Sequence, residues 1–376
     1  MSDLIQYGAQ LDSIRLRETI AHIFKRNERI ESETGQRGTP ICIWGSHGLG
    51  KTTLVSEFAR QHNWKLAYCA PAQFEEMGDL HGLPTRVDPD PTVVGDEYTT
   101  FLPPDWVPSE EGPGILLLDD INRADDRILR GLMQLLQNFE LFSWSLPKGW
   151  QIVATANPEG GDYSVTPMDD AMLTRMLHFT MIFDVKAWAA WALEHGVDPR
   201  GIDFVLTYPE TVNGIRTTPR TLTQFFEQIS DIEDLRSELD LVSALAMSSL
   251  DDVTVATFVS FVNDNLSTLI GPEEILEADD FKAIAKRIDH IAKGEGDEKR
   301  VDRLATICTR LFLHLTSPRY EPDDKAHKKN LIAFLMHDTL PNDLRFSLHR
   351  DLVAAGPKLK GMLRDKKLAK LMLDGM

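Results

Sequence analysis

Cysteine is scarce in this chain. Only Cys42, Cys69 and Cys308 occur in 376 residues; they lie far apart and form no CxxC pair, which argues against a disulfide framework and a cysteine zinc site and fits a reducing compartment. Long apolar runs are missing too. None approaches the roughly 18 residues a membrane helix needs, and the N-terminal MSDLIQYGAQ lacks the charged-then-apolar pattern of a signal segment. A soluble cytoplasmic protein without a membrane role is expected. The histidines, His195 among them, show no H-x-x-x-H spacing, so a histidine metal site is not expected. Positive charge is in deficit: 40 Lys and Arg face 58 Asp and Glu, a net charge of −18. A surface coated for nucleic acid is disfavoured on that balance, although a local basic patch is not.

The deficit is uneven. Residues 281–376 carry 20 basic and 13 acidic side chains, net +7, against 20 and 45, net −25, in residues 1–280. Such a split points to different partners for the two parts. The length corresponds to about two and a half domains at roughly 150 residues each.

Apolar positions Ile14, Leu16, Ile20, Ile23 and Phe24 predict a helix within residues 12–30, and ESETGQRGTP then breaks the pattern. Ile41-Cys42-Ile43-Trp44, bounded by Pro40 and Gly45, has the continuous apolar character of a strand buried on both faces. A helix from Lys51 to His62 follows, with strands predicted at Leu66–Cys69, Ile115–Leu118 and Gln151–Ala156. The alternation implies parallel pairing and an α/β sheet. Between Pro71 and Pro113 eight of the chain's 20 prolines accumulate, which disfavours long helices and marks an elaborated excursion from the core. From about residue 184 the strand signals fade and successive helices are predicted, over 185–193, 202–208, 221–229, 240–249 and 254–270, with four or five more in residues 281–376.

The sharpest motif is Gly45-Ser46-His47-Gly48-Leu49-Gly50-Lys51-Thr52, the pattern G-x-x-x-x-G-K-[ST], placed after a buried strand and opening a helix. Its backbone N–H groups, together with those of the helix start at Thr53, suit phosphate oxygens. Lys51 would reach the β- and γ-phosphates of ATP, and the Thr52 hydroxyl would ligate Mg²⁺. The dinucleotide fingerprint fails, because no glycine follows Gly48-Leu49-Gly50 at the required place. A second element, Ile115-Leu116-Leu117-Leu118-Asp119-Asp120, ends an apolar strand in two carboxylates. Alone this is an ordinary turn signal. Beside a phosphate loop, Asp119 is expected to hold Mg²⁺ and Asp120 to orient the attacking water.

These motifs, with Leu117-Leu118-Asp119-Asp120-Ile121-Asn122-Arg123-Ala124, Ala156-Asn157-Pro158 and Thr218-Pro219-Arg220, occur in the order expected of an AAA+ ATPase. They resemble in particular the MoxR-like branch of the dynein-related subfamily, over residues 40 to about 280. The resemblance implies a parallel-sheet P-loop NTPase core with an N-terminal helix and Pro-rich insert (residues 1–183 with 71–113), a helical lid (184–280) and a basic helical C-terminal extension (281–376). It further implies that Asn157 acts as the polar sensor beside the γ-phosphate, Arg175 as an arginine finger reaching a neighbour's nucleotide and Arg220 as the sensor of the lid. Gln73 to Gly82 resembles the family's helix-2 insert, although Phe74 and Met77 are equally read as apolar anchors. Members of the branch form hexameric rings that remodel protein clients, commonly with a von Willebrand factor A domain partner.

The chain departs from the family at Asp120, where a glutamate is usual. The side chain is one methylene shorter, and positioning errors of about 1 Å are costly in catalysis, so a nucleotide-dependent scaffold with little turnover is an alternative. A nucleic-acid motor or loader is another. It draws only on the basic stretch from Lys358 to Lys370, which has no interleaved aromatics, and a docked helix with a solvated charged face explains that stretch as well.

Overall fold

The computed structural model describes residues 5, 7–89, 96–142, 144–160, 164–263, 269–293, 300–317, 320 and 325–374. The chain divides into two compact units, Met1–Asp184 and Val185–Met376.

Among its described residues the first unit has ten strands: β1 (Ala9–Leu11), β2 (Ile41–Trp44), β3 (Lys65–Cys69), β4 (Leu83–Val87), β5 (Tyr98–Leu102), β6 (Gly114–Leu118), β7 (Glu140–Leu141), β8 (Trp144–Ser145), β9 (Trp150–Ala156) and β10 (Leu177–Met181). Six form one sheet in the order β1-β10-β2-β9-β6-β3, every neighbouring pair parallel. The other four make two antiparallel hairpins, β4-β5 and β7-β8. The expected parallel α/β sheet is therefore present. Strands β1 and β10, which the apolar pattern does not reveal, complete one side of it.

Alternation along each strand distributes side chains to two cores. Ile41, Ile43, Ile115, Leu117 and Val153 meet Leu16, Ile20 and Phe24 of α1 (Ser13–Thr34) and Leu54, Val55 and Phe58 of α2 (Lys51–Gln61). Cys42, Trp44, Leu116, Leu118, Ile152 and Ala154 meet the opposite layer, chiefly Ile128, Leu129, Leu132, Leu135 and Leu136 of the helix Asp126–Asn138. A central strand covered on both sides must be apolar throughout, which is why β2 reads as it does. Helix α1 outlasts its predicted end at residue 30 because Gly35, at φ 70°, closes it in the left-handed conformation and donates to Glu31 O.

The Pro-rich excursion contains the short helix Met77–His81 and the β4-β5 hairpin. Phe74 and Met77 are partly buried against the core, with Leu80 fully enclosed. They are anchors of the excursion, whose exposed apolar positions are instead Leu83, Tyr98 and Leu102 on the hairpin.

In the second unit all the regular elements among the described residues are helical. Phe204, Phe225, Phe226, Phe258 and Phe261 form one aromatic centre, with Phe225 and Phe258 edge to face at 4.9 Å. A second core runs from Ile270 to Met372. Residues 185–280 and 281–376 thus share one unit, joined by an ion pair of Asp203 with Arg310 and a hydroxyl contact between Thr207 and Thr306. Among the described residues of 281–376 there are six helices, because Gly356 and the turn at 363–365 divide the last stretch into short pieces. Cys42, Cys69 and Cys308 are buried free thiols. No helix of the described residues is long and apolar enough to cross a membrane.

Candidate nucleotide-binding site

The sheet register brings the motifs together. Trp44 pairs with Ala156, Ala154 with Leu118, and Leu118 with Cys69. The residues that follow, Gly45, Asn157, Asp119 and Ala70, therefore emerge side by side at the carboxyl edge of the sheet, where open α/β sheets hold ligands.

From β2 the chain turns through the phosphate loop into α2. Gly48 and Gly50 take φ of 75° and 92°, a region where a Cβ is unfavourable. Gly50 has no side chain to cap α2, so the first N–H groups of Lys51, Thr52 and Thr53 lack the intrahelical acceptors that later residues have. Such a helix start favours an anion. Lys51 is buried, and its Nζ donates to Gly45 O at 2.6 Å, Ser46 O at 3.2 Å and Asn157 Oδ1 at 3.2 Å. His47 and Leu49 occupy the intervening loop positions.

Asp119 is the hub beside this loop. Its Oδ1 accepts from Thr52 Oγ1 and from Thr155 Oγ1, both at 2.7 Å, and its Oδ2 accepts from the Tyr68 hydroxyl at 3.1 Å. Burial pushes the Tyr68 phenol above its ordinary range, and the Asp119 carboxylate adds to the shift. Thr155 also accepts from the Asp120 N–H at 2.8 Å, so one hydroxyl locks two successive residues.

Asp120 has left-handed backbone angles, φ 49° and ψ 44°, uncommon for a residue with a Cβ. Its Oδ1 accepts from Asn157 Nδ2 at 3.0 Å, and its Oδ2 pairs with Arg123 Nε at 3.2 Å. The Asn157 amide consequently bridges Lys51 on one end and Asp120 on the other. Asn157 is fully buried, as is Asn122, whose Nδ2 donates to Asn157 O at 2.8 Å and whose Oδ1 accepts from Asn157 N at 3.0 Å. Two residues on, buried Glu159 accepts from Tyr7 OH and Met168 N, both at 3.1 Å, tying the end of β9 to the segment before β1. Burial first, and Glu159 second, push the Tyr7 phenol up to about 12.

Lys51, Thr52, Asp119, Asp120 and Asn157, each expected from sequence, therefore form one connected network. Arg175 lies elsewhere. It precedes β10, whose first residue Leu177 pairs with Ile41 at the amino end of β2, so it stands a strand's length, roughly 13 Å along the sheet, from the phosphate loop. Its guanidinium donates to Gln137 Oε1 at 3.1 Å and to Ala171 O. Arg220 belongs to the second unit, exposed at the second position of the helix Pro219–Ile229, which Thr218 caps through the Thr221 N–H.

Tyr68, Asn122, Arg123 and Thr155 escaped the sequence reading as site residues. Thr155 carried a usable signal: a hydroxyl inside the apolar run Ile152-Val153-Ala154 must find a partner when buried.

The donor set suits a hard cation. One carboxylate and one adjacent hydroxyl, completed by water and phosphate oxygens, is the usual provision for Mg²⁺. Among the described residues no three His, Cys, Asp or Glu side chains converge as an all-protein metal cage would require.

Residues 40–176 match the family model described as AAA domain (dynein-related subfamily). Among solved structures, the chain is similar to Thermotoga maritima RuvB, titled a Holliday junction branch migration motor, with 15% identity, 72% of this chain and 81% of that chain covered, and a TM-score of 0.38. Two variants of the same protein match at 15% and 14% identity, covering 84% and 72% of this chain and 94% and 81% of theirs, with TM-scores of 0.39 and 0.40. The parallel sheet with flanking helices and the phosphate loop after β2 are those of a P-loop NTPase, with an AAA domain matched over residues 40–176.

Proposed function

We propose, from the premise that residues 40–176 form an AAA+ ATPase domain, that this chain binds ATP with Mg²⁺ and hydrolyses it in a ring of identical copies. The observation that carries the reading is the single amide of Asn157 joining Lys51 to Asp120, with Thr52 and Asp119 in contact alongside.

In this reading the phosphate-loop N–H groups and Lys51 hold the β- and γ-phosphates. Thr52 and Asp119 hold Mg²⁺, which neutralises charge on the transferring phosphoryl group. Asp120 orients the attacking water. Asn157, fixed from behind by Asn122, keeps that carboxylate in register with Lys51. Arg175, at the opposite edge of the sheet from its own loop, serves the nucleotide of an adjacent copy, and Arg220 serves as the sensor of the helical unit. The MoxR-like motif order supports a hexameric assembly in the cytoplasm that remodels or activates a protein complex with a von Willebrand factor A domain partner.

A second reading is a nucleotide-dependent scaffold with slow turnover. It is favoured by the short Asp120 side chain and its ion pair with Arg123. Phosphate release measured against protein concentration decides between them. Ring catalysis requires turnover per copy to rise steeply on assembly, and Arg175→Ala to abolish turnover while nucleotide still binds. Binding without turnover at any concentration leaves the scaffold, and full activity of an isolated monomer defeats the ring.

A further inference from the structure

We propose that Tyr68 is a positioning residue for Asp119, setting the affinity of the site for Mg²⁺ through the hydrogen bond from its phenol. The inference rests on the reading of Asp119 as the carboxylate beside the metal.

Tyr68 is the last residue but one of β3, the edge strand of the sheet, and it pairs with Leu117. That register gives it the α2 side of the sheet, the side from which Thr52 approaches Asp119. Its neighbours in alternation behave differently. Ala67 and Cys69 turn to the opposite face and join the apolar core there. Tyr68 joins neither core cluster and is 50% exposed. An aromatic side chain that contributes so little to packing is defined mainly by what its hydroxyl touches, and that is Asp119 Oδ2 at 3.1 Å.

The two oxygens of Asp119 are thus held from two directions. Thr52 and Thr155, both inside the site, converge on Oδ1. Tyr68, from the edge strand, donates to Oδ2. Rotation about the Cβ–Cγ bond moves both oxygens, so the donor on Oδ2 adds a second restraint to the one that Thr52 and Thr155 place on Oδ1. Partners of this kind orient a ligating carboxylate, and their removal typically costs about 10- to 100-fold in metal affinity.

The test compares wild type with Tyr68→Phe, which keeps the ring and removes the donor. Binding of the non-hydrolysable ATP analogue AMP-PNP is titrated in EDTA and then across a series of Mg²⁺ concentrations, with thermal unfolding of the free proteins recorded in the same buffers. The expected result is an unchanged melting temperature, analogue affinity in EDTA within about twofold of wild type, and a Mg²⁺ midpoint raised about tenfold. A Mg²⁺ midpoint within twofold of wild type overturns the role of Tyr68 and leaves the functional reading standing. Should wild type itself bind the analogue with no dependence on Mg²⁺, the reading of Asp119 fails and the inference with it. Equal losses with and without Mg²⁺ also overturn it, because they mark a general structural effect.

Discussion

Replacing Asn122 by alanine removes a side chain that never touches a phosphate, and should nonetheless impair both folding and turnover. Asn122 is fully buried and makes two bonds to one residue: it donates to Asn157 O at 2.8 Å and accepts from Asn157 N at 3.0 Å. The alanine variant leaves a buried carbonyl and a buried N–H without partners. Each unsatisfied group costs about 1–3 kcal/mol, so a loss of about 2–6 kcal/mol is expected for the first unit. For a unit of this size that corresponds to a melting temperature lower by about 4–24 °C. The same two bonds place the Asn157 amide between Lys51 and Asp120, and a displacement near 1 Å there should lower kcat by about 100-fold. Differential scanning calorimetry and a phosphate-release assay read the two effects. Asn122→Asp sharpens the test, because it keeps the acceptor for Asn157 N–H but sets an oxygen against Asn157 O, and should rescue neither. A melting temperature within about 1 °C of wild type with unchanged turnover would refute the reasoning.

Asp120→Glu should keep or raise turnover, whereas Asp120→Asn should abolish it with nucleotide binding retained; equal steady-state rates for the two variants would remove Asp120 from the catalytic groups. In the second unit, burial raises Asp203 to about 7 against the opposing pull of Arg310. The folded state then holds a proton that the unfolded state releases near its ordinary value of about 4, so wild-type stability should fall as pH rises from about 4 through 7. Asp203→Asn should flatten that slope in urea denaturation between pH 5 and pH 8, and parallel slopes would contradict the assignment. Asp203→Ala strands the Arg310 guanidinium and should destabilise the unit by about 3–5 kcal/mol at neutral pH, measured by the same denaturation.

The elements legible in the sequence were those whose cause is local. Ile41-Cys42-Ile43-Trp44 is apolar because both its faces are covered, and the loop after it carries its glycines where the backbone turns. Asp119 is legible because it ends such a strand beside a phosphate loop, whereas Asn157 is legible only through the family resemblance. What was missed depends on distant partners. Strand β10 reads Leu177-His178-Phe179-Thr180-Met181, and its polar residues are held by Trp44 Nε1 donating to His178 Nδ1 at 2.8 Å, by His178 Nε2 against Leu173 O at 2.7 Å and by Thr180 Oγ1 donating to Tyr7 O at 2.9 Å. Asn122 looked like part of a motif and Tyr68 like a strand residue, since nothing near either in sequence announces the Asn157 backbone or the Asp119 carboxylate. In the C-terminal half the change of charge at residue 280 suggests a boundary, whereas the core from Ile270 to Met372 closes across that position.

The phosphate loop and Arg175 occupy opposite edges of one parallel sheet, and this has a counting consequence. If Arg175 completes the site of an adjacent copy, each copy owns one half-site at either end and no whole one. An open row of n copies then holds n − 1 complete sites, and closure into a ring supplies the last. Activity per copy would rise with every addition and reach its limit only when the two loose ends meet, so a fold proposed to bind the nucleotide would also register whether assembly is finished.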